Sequence, residues 1–90
     1  MHAALVTVTI DPATADTSKS VLQEQIIPIV KASPGFIAGY WLEPKDGQGF
    51  SFVVFDSEDQ ARQGAPPAGS SPTAGVTVDD VEFRSVVGHG

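Results

Sequence analysis

The residues AALVTVTI, Ala3 to Ile10, alternate with the two-residue period of a half-buried strand. Val6, Val8 and Ile10 fall on one face, and Leu5, Thr7 and Thr9 on the other. DPATAD, Asp11 to Asp16, reads as a turn in which Pro12 stops the strand. From Thr17 to Ala32 the period lengthens to that of a helix. Leu22, Ile26, Ile29, Val30 and Ser33 recur on one side, with Lys19, Gln23, Glu24 and Lys31 largely opposite. Its start is Thr17 or Ser18 as N-cap, or Ser20 with Gln23 as a capping box. Pro28 lies inside this helix, where its ring meets the carbonyl of Glu24 and predicts a kink. SPG then ends it, because the residue before a proline avoids the helical region.

FIAGYWLE, Phe36 to Glu43, is a second strand. Strict alternation places Phe36, Ala38, Tyr40 and Leu42 on one face, and Ile37, Gly39, Trp41 and Glu43 on the other. Asp46-Gly47 signals a hairpin, and FSFVVFD returns as strand three, with Phe50, Phe52 and Val54 opposite Ser51, Val53 and Phe55. Ser57 caps a short second helix, with Glu58 and Asp59 in its first turn and Gln60 completing a capping box. GAPPAGSSPTAG, residues 64–75, holds three prolines and three glycines and is expected to be a flexible loop, either a lid or slack. VTVDDVEFRSVV forms the last strand, with Val81, Phe83, Ser85 and Val87 against Glu82, Arg84 and Val86.

The order β-α-β-β-α-β with right-handed crossovers predicts one ferredoxin-like α+β domain over residues 1–90. Its four-stranded antiparallel sheet takes the order 4-1-3-2, with both helices on one face. Strand directions bring Asp11–Asp16, Pro44–Gly49 and Gly64–Gly75 to the same end.

Composition narrows the partners. Five Lys and Arg stand against eleven Asp and Glu, a net charge of −6, and the cations are scattered, which argues against nucleic acid and anionic membranes. The absence of cysteine removes disulfides, thiolate metal sites and cysteine nucleophiles. MHAALVTVTI carries no Lys or Arg ahead of its apolar residues and no run spans a bilayer, so a cytoplasmic protein is expected. A 90-residue chain buries a thin core, and more must come from a partner subunit or a ligand. Helices cover one sheet face. Whichever way strands two and three turn, the other face receives Tyr40 or Trp41 and Phe52 or Phe55. A second copy covering that apolar face makes a homodimer the expectation.

Candidate chemistry is sparse. Trp41 is the wall of a pocket for a small apolar or aromatic ligand, or sheet packing at a dimer interface. Tyr40 points the other way, beneath the helices, where its hydroxyl meets a bound oxygen or a backbone partner; Phe52 is a further pocket candidate. Arg84, two residues from Glu82, holds a substrate carboxylate or phenolate, or pairs with that glutamate. His2 and His89 are brought near each other by antiparallel first and last strands, but two terminal ligands make a poor metal site, and none is expected. No phosphate-binding glycine pattern and no placement for a serine–histidine triad is present.

With SPGFIAGYWLEP entering strand two and FSFVVFDSEDQAR running from strand three into helix two, the chain resembles the dimeric α+β barrel superfamily. Within it, the chain is similar to small antibiotic-biosynthesis-monooxygenase-like proteins, the most specific parts being Pro34-Gly35-Phe36, Gly39-Tyr40 and Phe55-Asp56-Ser57. The resemblance implies a dimeric barrel. In members that are oxygenases it implies metal-free and cofactor-free attack of O2 on a deprotonated phenolic or polycyclic substrate. An asparagine from the sheet and a tryptophan from a helix commonly contribute there. This sequence has no asparagine, and its one tryptophan, Trp41, lies on a predicted strand. Three readings stay open: a small-molecule-binding protein of monooxygenase-like descent, a cofactor-independent monooxygenase, and a non-catalytic dimerisation module.

Overall fold

A computed structural model describes residues 1–90. Strand β1 (His2–Ile10) lies at the centre of the sheet, flanked by β3 (Gln48–Phe55) and β4 (Val76–Ser85), with β2 (Phe36–Trp41) outside β3. All three pairings are antiparallel, giving the order β2-β3-β1-β4, the expected order read from the other edge. Helix α3 (Glu58–Gly64) follows β3. Between β1 and β2 runs a longer helical rod made of α1 (Ala15–Val21), a π segment (Leu22–Ile26) and α2 (Ile27–Lys31). No helix is long and apolar enough to cross a membrane.

The rod begins earlier than its periodicity predicts. A 3-10 turn at Pro12–Thr14 leads into it, and the Asp11 carboxylate accepts from the Ala13 N–H at 3.0 Å, so Asp11 does the capping expected of Thr17 or Ser18. Pro28 produces a π turn rather than a simple kink. The Ile27 N–H reaches back five residues to the Leu22 carbonyl, a wider spacing that accommodates a ring with no N–H to donate. The wider turn keeps Leu22, Ile26 and Val30 facing the sheet, whereas Ile29, expected with them, turns out to solvent at 70% exposure.

Two bulges decide which side chains face the helices. In β2 the register against β3 shifts between Phe36 and Ala38. Phe36 stays on the helix side, edge-on to Phe55 at 6.3 Å, and the extra residue then places Gly39 and Trp41 on that side as well. Strict alternation from Phe36 puts Tyr40 beneath the helices; the bulge reverses this, and Tyr40 is 57% exposed on the uncovered face. In β4 the register shifts opposite Thr7 and Val8, which sends Asp79 and Asp80 outward while Val78 and Val81 remain on the helix side.

The core sits at one end of the molecule. Phe55 and Ala61 are 0% exposed and pack with Val53, and Phe36, Val30 and Phe83 close around them. Helix α3 lies against β1, β3 and β4, held at its start by the Ser57 hydroxyl, which accepts from the Gln60 N–H at 3.2 Å. Gly64 lets the helix end approach this core, since a Cβ there would fall 2.4 Å from Phe55 Cζ. The helical rod has no such seat. It touches the sheet chiefly through α2 and β2, and α1 is held at the opposite end by Ser18, whose hydroxyl donates to the Ala74 carbonyl.

Of residues 64–75, expected as a flexible loop, Gly64 ends α3 and the rest is tied along the edge of β4. The Gly69 N–H donates to the Val78 carbonyl at 2.7 Å, and the Val78 N–H donates to the Ser70 carbonyl at 2.9 Å. The Ser71 hydroxyl donates to the Val76 carbonyl at 2.7 Å. This segment occupies backbone groups that an edge strand otherwise leaves open. The three loops expected at one end meet there: the Ile10 N–H donates to the Gly47 carbonyl and the Asp11 N–H to the Gly75 carbonyl, both at 2.7 Å.

Candidate functional site

Because the rod stands away from the sheet near these loops, a cavity of about 330 Å³ lies between them. Its floor is the helix-facing side of the sheet, chiefly Val6, Val8, Ile10, Val53 and Val78, and its roof is Leu22, Ile26 and Val30 of the rod. Pro66, Pro72 and Thr73 of the tied loop form one wall. The volume falls in the range of small-molecule sites, and so does an apolar lining with few polar groups.

Trp41 forms part of the wall beside β2. Its indole lies back along its own strand, above Gly39, where a Cβ would come within 2.7 Å of Trp41 Cη2. Gly39 therefore gives the ring its place. Across the pairing, Ser51 stands opposite Trp41 and Val6. It is a hydroxyl in the middle of a valine-rich floor, half-buried. Ser18 on α1 also lines the cavity and is buried, its hydroxyl 3.5 Å from the Ala74 carbonyl. Lys19 is the one charged residue of the lining.

The four sequence candidates separate. Trp41 faces the cavity. Tyr40 and Phe52 stack on the opposite, uncovered face, ring centroids 5.3 Å apart. Arg84 is on that outer face too, its Nη2 2.6 Å and its Nε 2.8 Å from Glu82 Oε1, so it makes the ion pair rather than a contact with the cavity. Thr9, also outward, donates to the Asp79 carboxylate. His2 approaches Glu58 at 3.8 Å, His89 lies beyond the end of β4, and no group of three or more His, Asp and Glu is placed to hold a metal ion.

Ser18, Lys19 and Ser51 escaped the sequence reading. Ser51 had a usable signal, a polar residue at a core-facing position of an otherwise apolar strand. Ser18 and Lys19 had none, because Ser18 reads as an N-cap and Lys19 falls on the polar side of the helix.

No protein-family profile and no curated protein sequence matches the chain. Solved structures do. MhuD from Mycobacterium tuberculosis, a heme degrader with two hemes bound in its active site, superposes with a TM-score of 0.76 at 16% identity, over 100% of this chain and 99% of its own. SnoaB from Streptomyces nogalater, a cofactor-independent oxygenase, gives 0.70 at 17% identity, over 98% of this chain and 95% of its own. A monooxygenase from the ActVA-Orf6 gene of Streptomyces coelicolor, in complex with nanaomycin D, gives 0.55 at 23% identity, over 70% and 58%. The chain thus has the ferredoxin-like α+β fold on which this heme degrader and these oxygenases are built.

Proposed function

We propose that this protein binds a small apolar or aromatic molecule in the cavity between sheet and rod, and does so as a homodimer. The observation that carries the reading is the cavity itself. In a 90-residue chain, Val8, Ile10, Leu22, Ile26 and Trp41 are left only partly covered around a space that an apolar ligand fills. Shared fold with SnoaB and the ActVA-Orf6 monooxygenase supports monooxygenase-like descent. Binding is preferred to oxygenation because the lining has neither a carboxylate nor an imidazole to take a phenolic proton. Heme, the ligand of MhuD, suits this lining poorly: it presents no imidazole, thiolate, thioether or phenol as an axial ligand.

The dimer is supported by the uncovered face, where Tyr40 and Phe50 are exposed beside Phe52. Apolar area of this kind is ordinarily covered by a partner.

N-phenyl-1-naphthylamine, a neutral dye that fluoresces in apolar surroundings, tests the cavity. The expected result is saturable binding of one dye per chain, weakened about tenfold in Trp41→Ala as a stacking surface is lost. Unsaturable binding, or an affinity indifferent to Trp41→Ala, overturns the reading.

A further inference from the structure

We propose that the cavity's ligand is an apolar body of about two to three rings bearing a single carboxylate, and that Lys19 holds the carboxylate at the mouth. The inference rests on the cavity being a ligand site and specifies what fills it.

Size sets the apolar part. A 150 Å³ apolar cavity accommodates benzene, so about 330 Å³ suits roughly two to three rings or an alkyl chain of similar bulk. Charge sets the rest. The floor and roof are aliphatic, and a carboxylate drawn into them would lose its hydration without a partner. It must stay at the mouth, and there Lys19 is the one charged side chain of the lining.

Lys19 is also available. The two arginines are committed, Arg62 to Glu58 and Arg84 to Glu82, whereas Lys19 is exposed and has no carboxylate within ion-pair distance. Lys31 and Lys45 do not line the cavity. On a chain of net charge −6, an anion is repelled by most of the surface, which makes a single unpaired ammonium at an apolar mouth a local exception. The Thr73 hydroxyl lies in the same lining and adds a hydrogen-bond donor.

The test compares 2-naphthoate with its neutral analogue 2-naphthylmethanol as competitors of N-phenyl-1-naphthylamine, in the native chain and in Lys19→Gln. Naphthoate is expected to bind about fivefold more tightly than the alcohol in the native chain, the size of one solvent-facing ion pair. In Lys19→Gln the ratio of the two affinities should fall to about one. Equal affinities in the native chain, or a preference that survives in Lys19→Gln, overturn the assignment of Lys19 and leave the cavity reading intact. Failure of both compounds to displace the dye overturns both.

Discussion

Phe55→Ala is expected to destabilise the chain by about 3–5 kcal/mol, the range for removing a fully buried phenylalanine. Phe55 is wholly enclosed, edge-on to Phe36, with Val53 and Ala61 packed against it and Gly64 lying over its ring. No other large side chain does comparable work, because the opposite end of the layer is cavity. A chain of this length has a total stability of roughly 5–13 kcal/mol, so the loss takes a large share of it. Urea unfolding followed by circular dichroism should show the midpoint falling by about 2 M or more. Ile29→Ala, which removes an exposed side chain, is the control. Comparable shifts in the two variants would show that the core does not reside at this end.

Phe52→Asp is expected to dissociate the proposed dimer and leave the subunit folded. Phe52 lies mid-strand on the uncovered face, opposite Leu5 on one side and Tyr40 on the other. A carboxylate there is desolvated on association and has no cation facing it on neighbouring strands: the adjacent outward residues are Leu5, Tyr40, Phe50 and Val54. Each copy already carries a net charge of −6, so pairing two more acidic residues adds repulsion. At least a thirtyfold loss of dimer affinity is expected, as for a central anchor residue, roughly 2 kcal/mol or more. Light scattering after size exclusion should report twice the chain mass for the native protein and a monomer of unchanged far-ultraviolet circular dichroism for the variant. A native protein that is monomeric at micromolar concentration, or a variant that dimerises as well as the native chain, contradicts the dimer.

Much of the fold was legible from two periodicities. In β1 and β3 the side chains divide between the faces as a two-residue period separates them, Val6 and Val8 apart from Leu5 and Thr7, and Val53 and Phe55 apart from Phe52, while the choice of which face of β3 meets the helices was open. The cap at Ser57 and the hairpin at Asp46-Gly47 depend on local chemistry and stand where that chemistry puts them. What escaped was any feature that breaks a period. A bulge of one residue near Ile37 puts Trp41 on the cavity wall, one of its two open readings, and turns Tyr40 from beneath the helices to the uncovered face, and nothing in FIAGYW marks it. Pro28 was visible as a disturbance, but whether a proline bends a helix or widens one turn depends on the packing around it. The cavity was the least legible of all. It exists because α1 stands off the sheet while α3 is seated on it, a tertiary relation between segments that carry similar apolar patterns.

The molecule offers two apolar surfaces to a small ligand, the cavity on one side of the sheet and the aromatic face on the other. Amide and indole chemical-shift changes on adding 2-naphthylmethanol to isotope-labelled protein separate them directly. The Trp41 indole N–H and the amides of Ser51, Val53 and Val78 are expected to move together and saturate, while those of Tyr40 and Phe52 hold still or follow weakly. Changes centred on Tyr40 and Phe52, with the Trp41 indole unmoved, would place the ligand on the aromatic face and overturn the cavity as its site.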